Sequence, residues 1–372
     1  MSKEIEIKTE RLVRSIGSTY AGVMLNAQHN FAWITGGANN AIDTSRENGA
    51  ATILITNRGK RYLIANNIEM QRMLDEQVDA SLFKPSEFRW QDEKATPDLV
   101  RQLAGDLAGG QVISDIPFTS APALESTFSY CRFELTNDEQ SRYRSLGKDA
   151  ADAMAKTIRQ LQPGKTENDI ANSMRHELGK FGINSVVTLV AADDRIAKYR
   201  HPVPTENRFD KTLLLVTCAK RHGLIASFSR MVSIGEPSDD LKRRTEAAAF
   251  VNASLQHATR IAVNPETLSA ELYAVAEQAY DRAGFPGEID KHHQGGAAGY
   301  RTRDWVAHPS GGDQLFPQQG FAWNPSITGT KVEDTIIRNG NEIEVITNSA
   351  EFPLIESVID GHTYISHGIL TI

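Results

Sequence analysis

The chain has 372 residues, 40% of them hydrophobic and 23% charged, with 40 Lys and Arg against 47 Asp and Glu. That length exceeds what a single core usually serves, so two domains are expected in a soluble globular protein. A net charge of −7 argues against nucleic acid as the main partner, and the two cysteines fit a reduced chain better than a disulfide scaffold.

No apolar run reaches the roughly 18 residues of a membrane span, and "MSKEIEIKTERLVRS" lacks the apolar stretch of a signal peptide. A cytoplasmic protein with no membrane partner is expected. In chain order, "KTERLVRSIGSTYAGVML" carries Leu12, Val13, Ile16 and Tyr20 at helical spacing. The runs "FAWIT", "ATILIT" and "RYLIA" read as strands between Asn, Gly and Arg-Gly turns. "IEMQRMLDEQV" and "TPDLVRQLAGDLA" read as helices and "GQVISD" as a strand, completing an α/β domain over 1–135.

The second domain, 136–372, starts where Thr136 and Glu139 form a capping-box pattern ahead of a long amphipathic helix that stops at Pro163-Gly164. Thr166 caps the next helix. Strands follow in "NSVVTLVAA", "TLLLVTCA" and "GLIASFSRMVSIG", then two long helices, then strands in "GFAWNPSI", "EDTIIRNG" and "NEIEVIT". Helices in one block between blocks of strands predict α+β, with a mostly antiparallel sheet covered on one face. "RHELGK" lacks the second histidine of a zincin helix, and "DDLKRR" reads as a solvated helical face.

Five blocks in order, "LTNDEQ…QLQPGKTENDIA", "YRHPVPT", "LLLVTCAKRHGLIASFSRMVSIGEPSDD", "HHQGGAAGY" and "WNPSITGTKVEDT", resemble the pita-bread family over residues 136–372. That family holds methionine aminopeptidase, aminopeptidase P, prolidase and the metal-free creatinase. The resemblance implies a creatinase-type N-terminal α/β domain, a pita-bread catalytic-like domain, and a homodimer whose N-terminal domain reaches toward the partner's site. In the family's metallopeptidases, two Asp, one His and two Glu hold two divalent ions. Here the matching positions fall on Thr217, Ser227, His293, Asn324 and Glu333. Only His293 and Glu333 keep a ligand of the family's type. Neutral oxygens do not offset two dications, so no metal and no other cofactor is expected.

The same resemblance places His201 over the substrate, where an imidazole suits proton transfer near neutral pH. Glu333 could orient an imidazole or water, or donate a proton if its burial raised its pKa. Tyr300 stands where relatives have a second histidine, and offers either an oxyanion donor or pocket wall. Gly295, Gly296 and Gly299 would let backbone approach a ligand. Arg230 and Arg301 are candidates to clamp a substrate carboxylate, whereas Arg303 reads as solvated surface. Asn324 and His292 complete the candidate substrate contacts. Catalysis is assigned to His201, His293 and Glu333.

The expected function is metal-independent hydrolysis of a C–N bond (amide, lactam or amidine) in a small polar metabolite. Ser229, where creatinase has a carboxylate for the guanidinium, makes creatine itself a poor fit. "YRHPVPT", "HHQGG" and "WNPSITGTK" look similar to a bacterial subgroup of opine catabolism, in which the lactam agropinic acid is opened. The alternatives are a non-catalytic pita-bread binding module and an Xaa-Pro metallopeptidase with atypical ligands.

Overall fold

The computed structural model describes residues 2–117 and 124–372. The chain divides into two compact units, Met1–Arg132 and Phe133–Ile372, where the sequence reading placed the division at 135/136.

The first unit opens with α1 (Ser2–Ile16), which ends before Tyr20 because Gly17 turns left-handed at φ 53°. A sheet follows, built from β1 (Gly22–Ala27), β2 (Asn48–Thr56), β3 (Arg61–Asn66), β4 (Lys84–Phe88) and β5 (Val112–Ser114) in the order β4-β3-β2-β1-β5. "FAWIT" is not a strand. It lies in helix α2 (Gln28–Ile34), whose Phe31, Ala32, Trp33 and Ile34 are all buried. A run apolar on every side carries no period, so spacing could not separate helix from strand. The short α3 (Met70–Arg72), α4 (Trp90–Ala95) and α5 (Leu99–Ala108) complete the unit. The Val100 and Ala104 face of α5 packs on Met24, Leu54 and Ile64 of the sheet.

The second unit begins with α6 (Asn137–Arg159). The Thr136 hydroxyl accepts from Glu139 N at 3.3 Å, and the Glu139 carboxylate accepts from Thr136 N at 2.8 Å. A cap of this kind contributes about 1 kcal/mol. Helix α7 (Glu167–Gly179) repeats the device with Thr166 and Asp169. Strands β6 (Asn184–Ala192), β7 (Thr212–Arg221) and β8 (Leu224–Ser233) form an antiparallel sheet, with the short α8 (Asp194–Lys198) after β6.

Helices α9 (Asp239–Ile261) and α10 (Ser269–Arg282) then pack on a second sheet. Its strands are β9 (Gly295–Ala297), β10 (Gln318–Trp323), β13 (Asp334–Asn339) and β14 (Glu342–Val345), in the order β14-β13-β10-β9. The short pair β11 (Ser326–Ile327) and β12 (Thr330–Lys331) stands between β10 and β13. Val251 and Leu255 of α9, Leu272 and Ala276 of α10, and Phe321, Trp323 and Ile336 of the sheet share one core.

The sequence reading assigned nothing past "NEIEVIT". There the chain forms a hairpin, β15 (Leu354–Ile359) and β16 (His362–His367), joined to α9 where Asn252 donates to the Ser366 hydroxyl at 3.0 Å. Strand β17 (Ile369–Thr371) closes the first sheet, parallel to β8. The two sheets meet where Ser229 N donates to Glu333 O at 3.1 Å.

Candidate active site

Strand pairing decides which residues can share a site. Cys218 lies opposite Ser227, and Val216 opposite Ser229. Successive side chains alternate between the two faces of a strand. Ser227, Ser229, Val216 and Cys218 therefore share one face, and Thr217, Phe228 and Arg230 the other.

This corrects two sequence expectations. Thr217 cannot stand beside Ser227 as a former ligand position. Its hydroxyl is fully buried against the Ser185 hydroxyl at 2.8 Å, behind the sheet. Arg230 cannot clamp a substrate either. It is 2% exposed, its Nη1 donates to Ser229 O at 2.7 Å, and its Nη2 donates to Asp334 at 2.9 Å and to Thr347 O. Asp334 also meets His367 Nδ1 at 3.0 Å. The result is a buried Arg–Asp–His brace.

On the other side of the Ser229–Glu333 junction, the Glu333 carboxylate is almost completely buried between two cations. Arg303 Nη2 donates to Oε1 at 3.0 Å, and Lys331 Nζ lies 3.0 Å from Oε2. Burial pushes the Glu333 pKa up, but Lys331 and Arg303 outweigh it and hold the carboxyl below its ordinary value. Glu333 is thus an anion, not the proton donor weighed from the sequence. Arg303 is likewise not solvated surface, its side chain being 11% exposed. Beside them, Asn324 is held by its own N–H donating to Gln294 O at 3.0 Å, while its side-chain oxygen is buried without a hydrogen-bond partner.

The histidines arrive on two loops. His201 follows β6, and its loop is moored by the buried carboxylate of Glu167, which accepts from Ala192 N at 2.9 Å, Thr205 N at 2.9 Å and the Thr205 hydroxyl at 2.8 Å. His292 and His293 precede β9. Glu288 ties the loops together, accepting from Arg200 at 2.8 Å, Lys291 at 2.8 Å and Thr328 N at 3.0 Å.

His201 Nε2 and His292 Nε2 come within 3.1 Å, and the rings of His292 and His293 stack at 4.3 Å. His292, a candidate substrate contact from the sequence, thus stands directly against His201. Partial desolvation, with Lys331 adding its charge, lowers His201 although its side chain is largely exposed; burial and Lys331 push His292 down to about 2. Burial, Arg303 and Lys331 push His293 down to about 4. All three imidazoles are neutral at pH 7, the form that accepts a proton.

Gly295 and Gly296 do not admit a ligand. At Gly295, which has φ +95°, a Cβ would sit 2.1 Å from Ala322 O, and at Gly296 it would sit 2.1 Å from Trp305 O. The close approach is by the protein's own backbone. Tyr300 is buried and Arg301 half-buried beside this run.

A carboxylate-bridged metal pair does not fit this donor set. Ser227 donates its hydroxyl to Cys218 Sγ at 3.2 Å, Asn324 is neutral, and Glu333 is already neutralised by Lys331 and Arg303. Hard dications need uncommitted carboxylates. The three imidazoles are the only group of His, Cys, Asp or Glu ligand atoms among the described residues that converges enough to hold an ion.

The sequence pattern of metallopeptidase family M24 matches residues 141–345. The chain belongs to metallopeptidase family M24. It is 23% identical to an uncharacterised peptidase of Staphylococcus aureus over 350 residues, covering 87% of this chain and 96% of that one. Among solved structures, a Bacillus anthracis Xaa-Pro dipeptidase superposes with a TM-score of 0.71 at 18% identity, over 93% of this chain and 98% of that one. The dipeptidase PepE of Mycobacterium ulcerans gives 0.75 at 16%, over 94% and 96%. The N-terminal domain of the FACT subunit SPT16 from chickpea gives 0.66 at 9%, over 94% and 97%. The pita-bread fold and a hydrolase of the M24 type follow from the family.

Lys331 and Glu288 escaped the sequence reading. A lysine two residues before a carboxylate is a common surface pattern, and nothing local marks Glu288 as a bridge between distant loops.

Proposed function

We propose that this M24 hydrolase opens a C–N bond (amide, lactam or amidine) in a small polar metabolite without the family's metal pair. The observation that carries the reading is the Lys331–Glu333–Arg303 triplet, which places two fixed cations beside three neutral imidazoles. His201 or His293 takes a proton from water as the water oxygen attacks the carbonyl or amidine carbon. Negative charge developing on the substrate faces Lys331 and Arg303, whose net excess over Glu333 is one positive charge. As the C–N bond breaks, the imidazolium returns the proton to the leaving nitrogen. Asn324, Tyr300, Arg301 and His292 contribute substrate contacts. Agropinic acid is the member of this class that the sequence resemblance nominates.

Neutral imidazoles held against paired cations favour catalysis over a binding module. Among the described residues the site offers no uncommitted carboxylate, which disfavours a conventional Xaa-Pro metallopeptidase. Among the described residues no helix is long and apolar enough to cross a membrane, and we read the protein as cytoplasmic and homodimeric, with neither nucleic acid nor membrane as a partner. Sedimentation at micromolar concentration should show the dimer; a monomer would refute it.

A screen of lactams, opines, amidines and Xaa-Pro dipeptides by thermal shift should supply the substrate, a ligand at 100-fold its Kd stabilising by roughly 2.7 kcal/mol. Chelator-dialysed protein should then turn it over at least as fast as untreated protein, with no gain from added Mn²⁺. Activity lost on chelation and restored by Mn²⁺ would return the chain to two-metal chemistry.

A further inference from the structure

The three imidazoles have a second capacity besides proton transfer. The ligand nitrogens of His201, His292 and His293 all lie within 4.8 Å of one another, and those of His201 and His292 are 3.1 Å apart. We infer that these three histidines form a mononuclear site for a borderline transition cation of the zinc class, distinct from the family's carboxylate-bridged pair, and that its occupancy shuts catalysis down.

The spacing is close to what such an ion requires. With a Zn–N bond of about 2.0–2.1 Å and tetrahedral angles, two ligand nitrogens sit roughly 3.3 Å apart. The His201–His292 pair already has that separation. The His293 ligand nitrogen lies within 4.8 Å of the other two, and a turn of its ring out of the stack on His292 would aim it at the same ion.

The arrangement is also braced in advance. Glu288 holds Arg200 next to His201 and Lys291 next to His292, so the loops need not be ordered by the metal. His292 is 91% buried by its 9% exposure, and its Nδ1 has no hydrogen-bond partner.

The donor set selects the ion. Imidazole suits Zn²⁺, Cu²⁺, Ni²⁺ and Co²⁺, whereas Mg²⁺, Ca²⁺ and Mn²⁺ prefer carboxylate and water oxygens. Glu333, whose charge acts on His201 and His293, is already paired with Lys331 and Arg303. Those two cations oppose every dication alike, so the choice of ion rests on the imidazole donors. The inhibitory consequence rests on the proposed function, since the metal would occupy the lone pairs that accept the proton from water.

The test is Co²⁺ titration of chelator-dialysed protein, followed by visible d–d absorption and by elemental analysis. The expected result is saturation at one ion per chain. His292→Gln and His201→Ala should each lose the absorption while retaining the wild-type circular dichroism, and Ser227→Ala, at a position matching the family's metal pair, should retain it. No uptake, uptake indifferent to His292→Gln, or two ions per chain lost with Ser227→Ala would overturn the site. Zn²⁺ added to active enzyme should inhibit in proportion to occupancy. If one ion binds but activity rises, the inhibitory role and the metal-free mechanism fall while the site stands. If none binds, the site falls and the hydrolase reading is untouched.

Discussion

His201→Ala is expected to lower turnover of the identified substrate by about 10²–10⁴-fold, the usual contribution of a positioned acid–base group. Its melting temperature should hardly change, because His201 is exposed and its loop is moored through Glu167 and Glu288. Glu333→Gln should be inactive for a different reason. It leaves Lys331 and Arg303 buried without their shared anion, which costs about 3–5 kcal/mol for a broken buried pair.

The pH profile adds a readout. A general base works unprotonated, so a depressed pKa carries activity further into acid. If His293 is the base, the acid limb of kcat/KM should fall near the value of about 4 to which burial and its neighbouring cations hold it. If His201 is the base, the limb should lie higher but still below the ordinary imidazole value of 6.5. A limb at or above that value, or near wild-type rates in both variants, would remove these residues from the mechanism.

The second large effect concerns stability without chemistry. Asp334→Asn should destabilise the protein by about 3–5 kcal/mol, since it strips the buried Arg230 of its counter-ion. Urea denaturation would show this as a lower midpoint. Arg230→Leu should also be destabilising, while turnover per folded molecule stays near wild type. A selective rise in KM with unchanged stability would instead restore Arg230 to the substrate.

The brace has an acid signature as well. Burial raises the Asp334 pKa, but Arg230 and His367 outweigh it and hold the group down at about 2, against its ordinary 3.8. A depressed carboxylate stabilises the fold fully above its unfolded pKa and loses that contribution as pH falls through its folded one. Acid unfolding should therefore gain a component between about pH 4 and pH 2 that is missing in Asp334→Asn.

Much of the fold was legible because its cues are local. Thr136 and Thr166 announce their helices by hydroxyl and carboxylate three residues apart, and β7 and β8 read as apolar runs around a His-Gly turn. "FAWIT" failed because a wholly buried segment has no polar face to give it a period. Thr217 failed because a ligand position misplaced by a single residue falls on the other face of a strand, and Arg230 because it follows Ser229 and so lies on the face opposite it, which the Cys218–Ser227 register reveals. The Lys331–Glu333–Arg303 triplet joins positions 30 residues apart by hydrogen bonding, and the imidazole trio joins positions 91 apart. No spacing rule covers contacts that depend on where two loops come to rest.

Glu288 sets the distance between the imidazole loops from outside both sheets. The strands below can therefore change their side chains without disturbing the histidines, and the histidine loops can be re-aimed without unravelling a strand. A protein engineer could exchange the residues at 227, 229 and 324 while the three histidines stay in place. The same separation lets a chain on this scaffold give up its carboxylates one at a time while the imidazole loops keep their spacing.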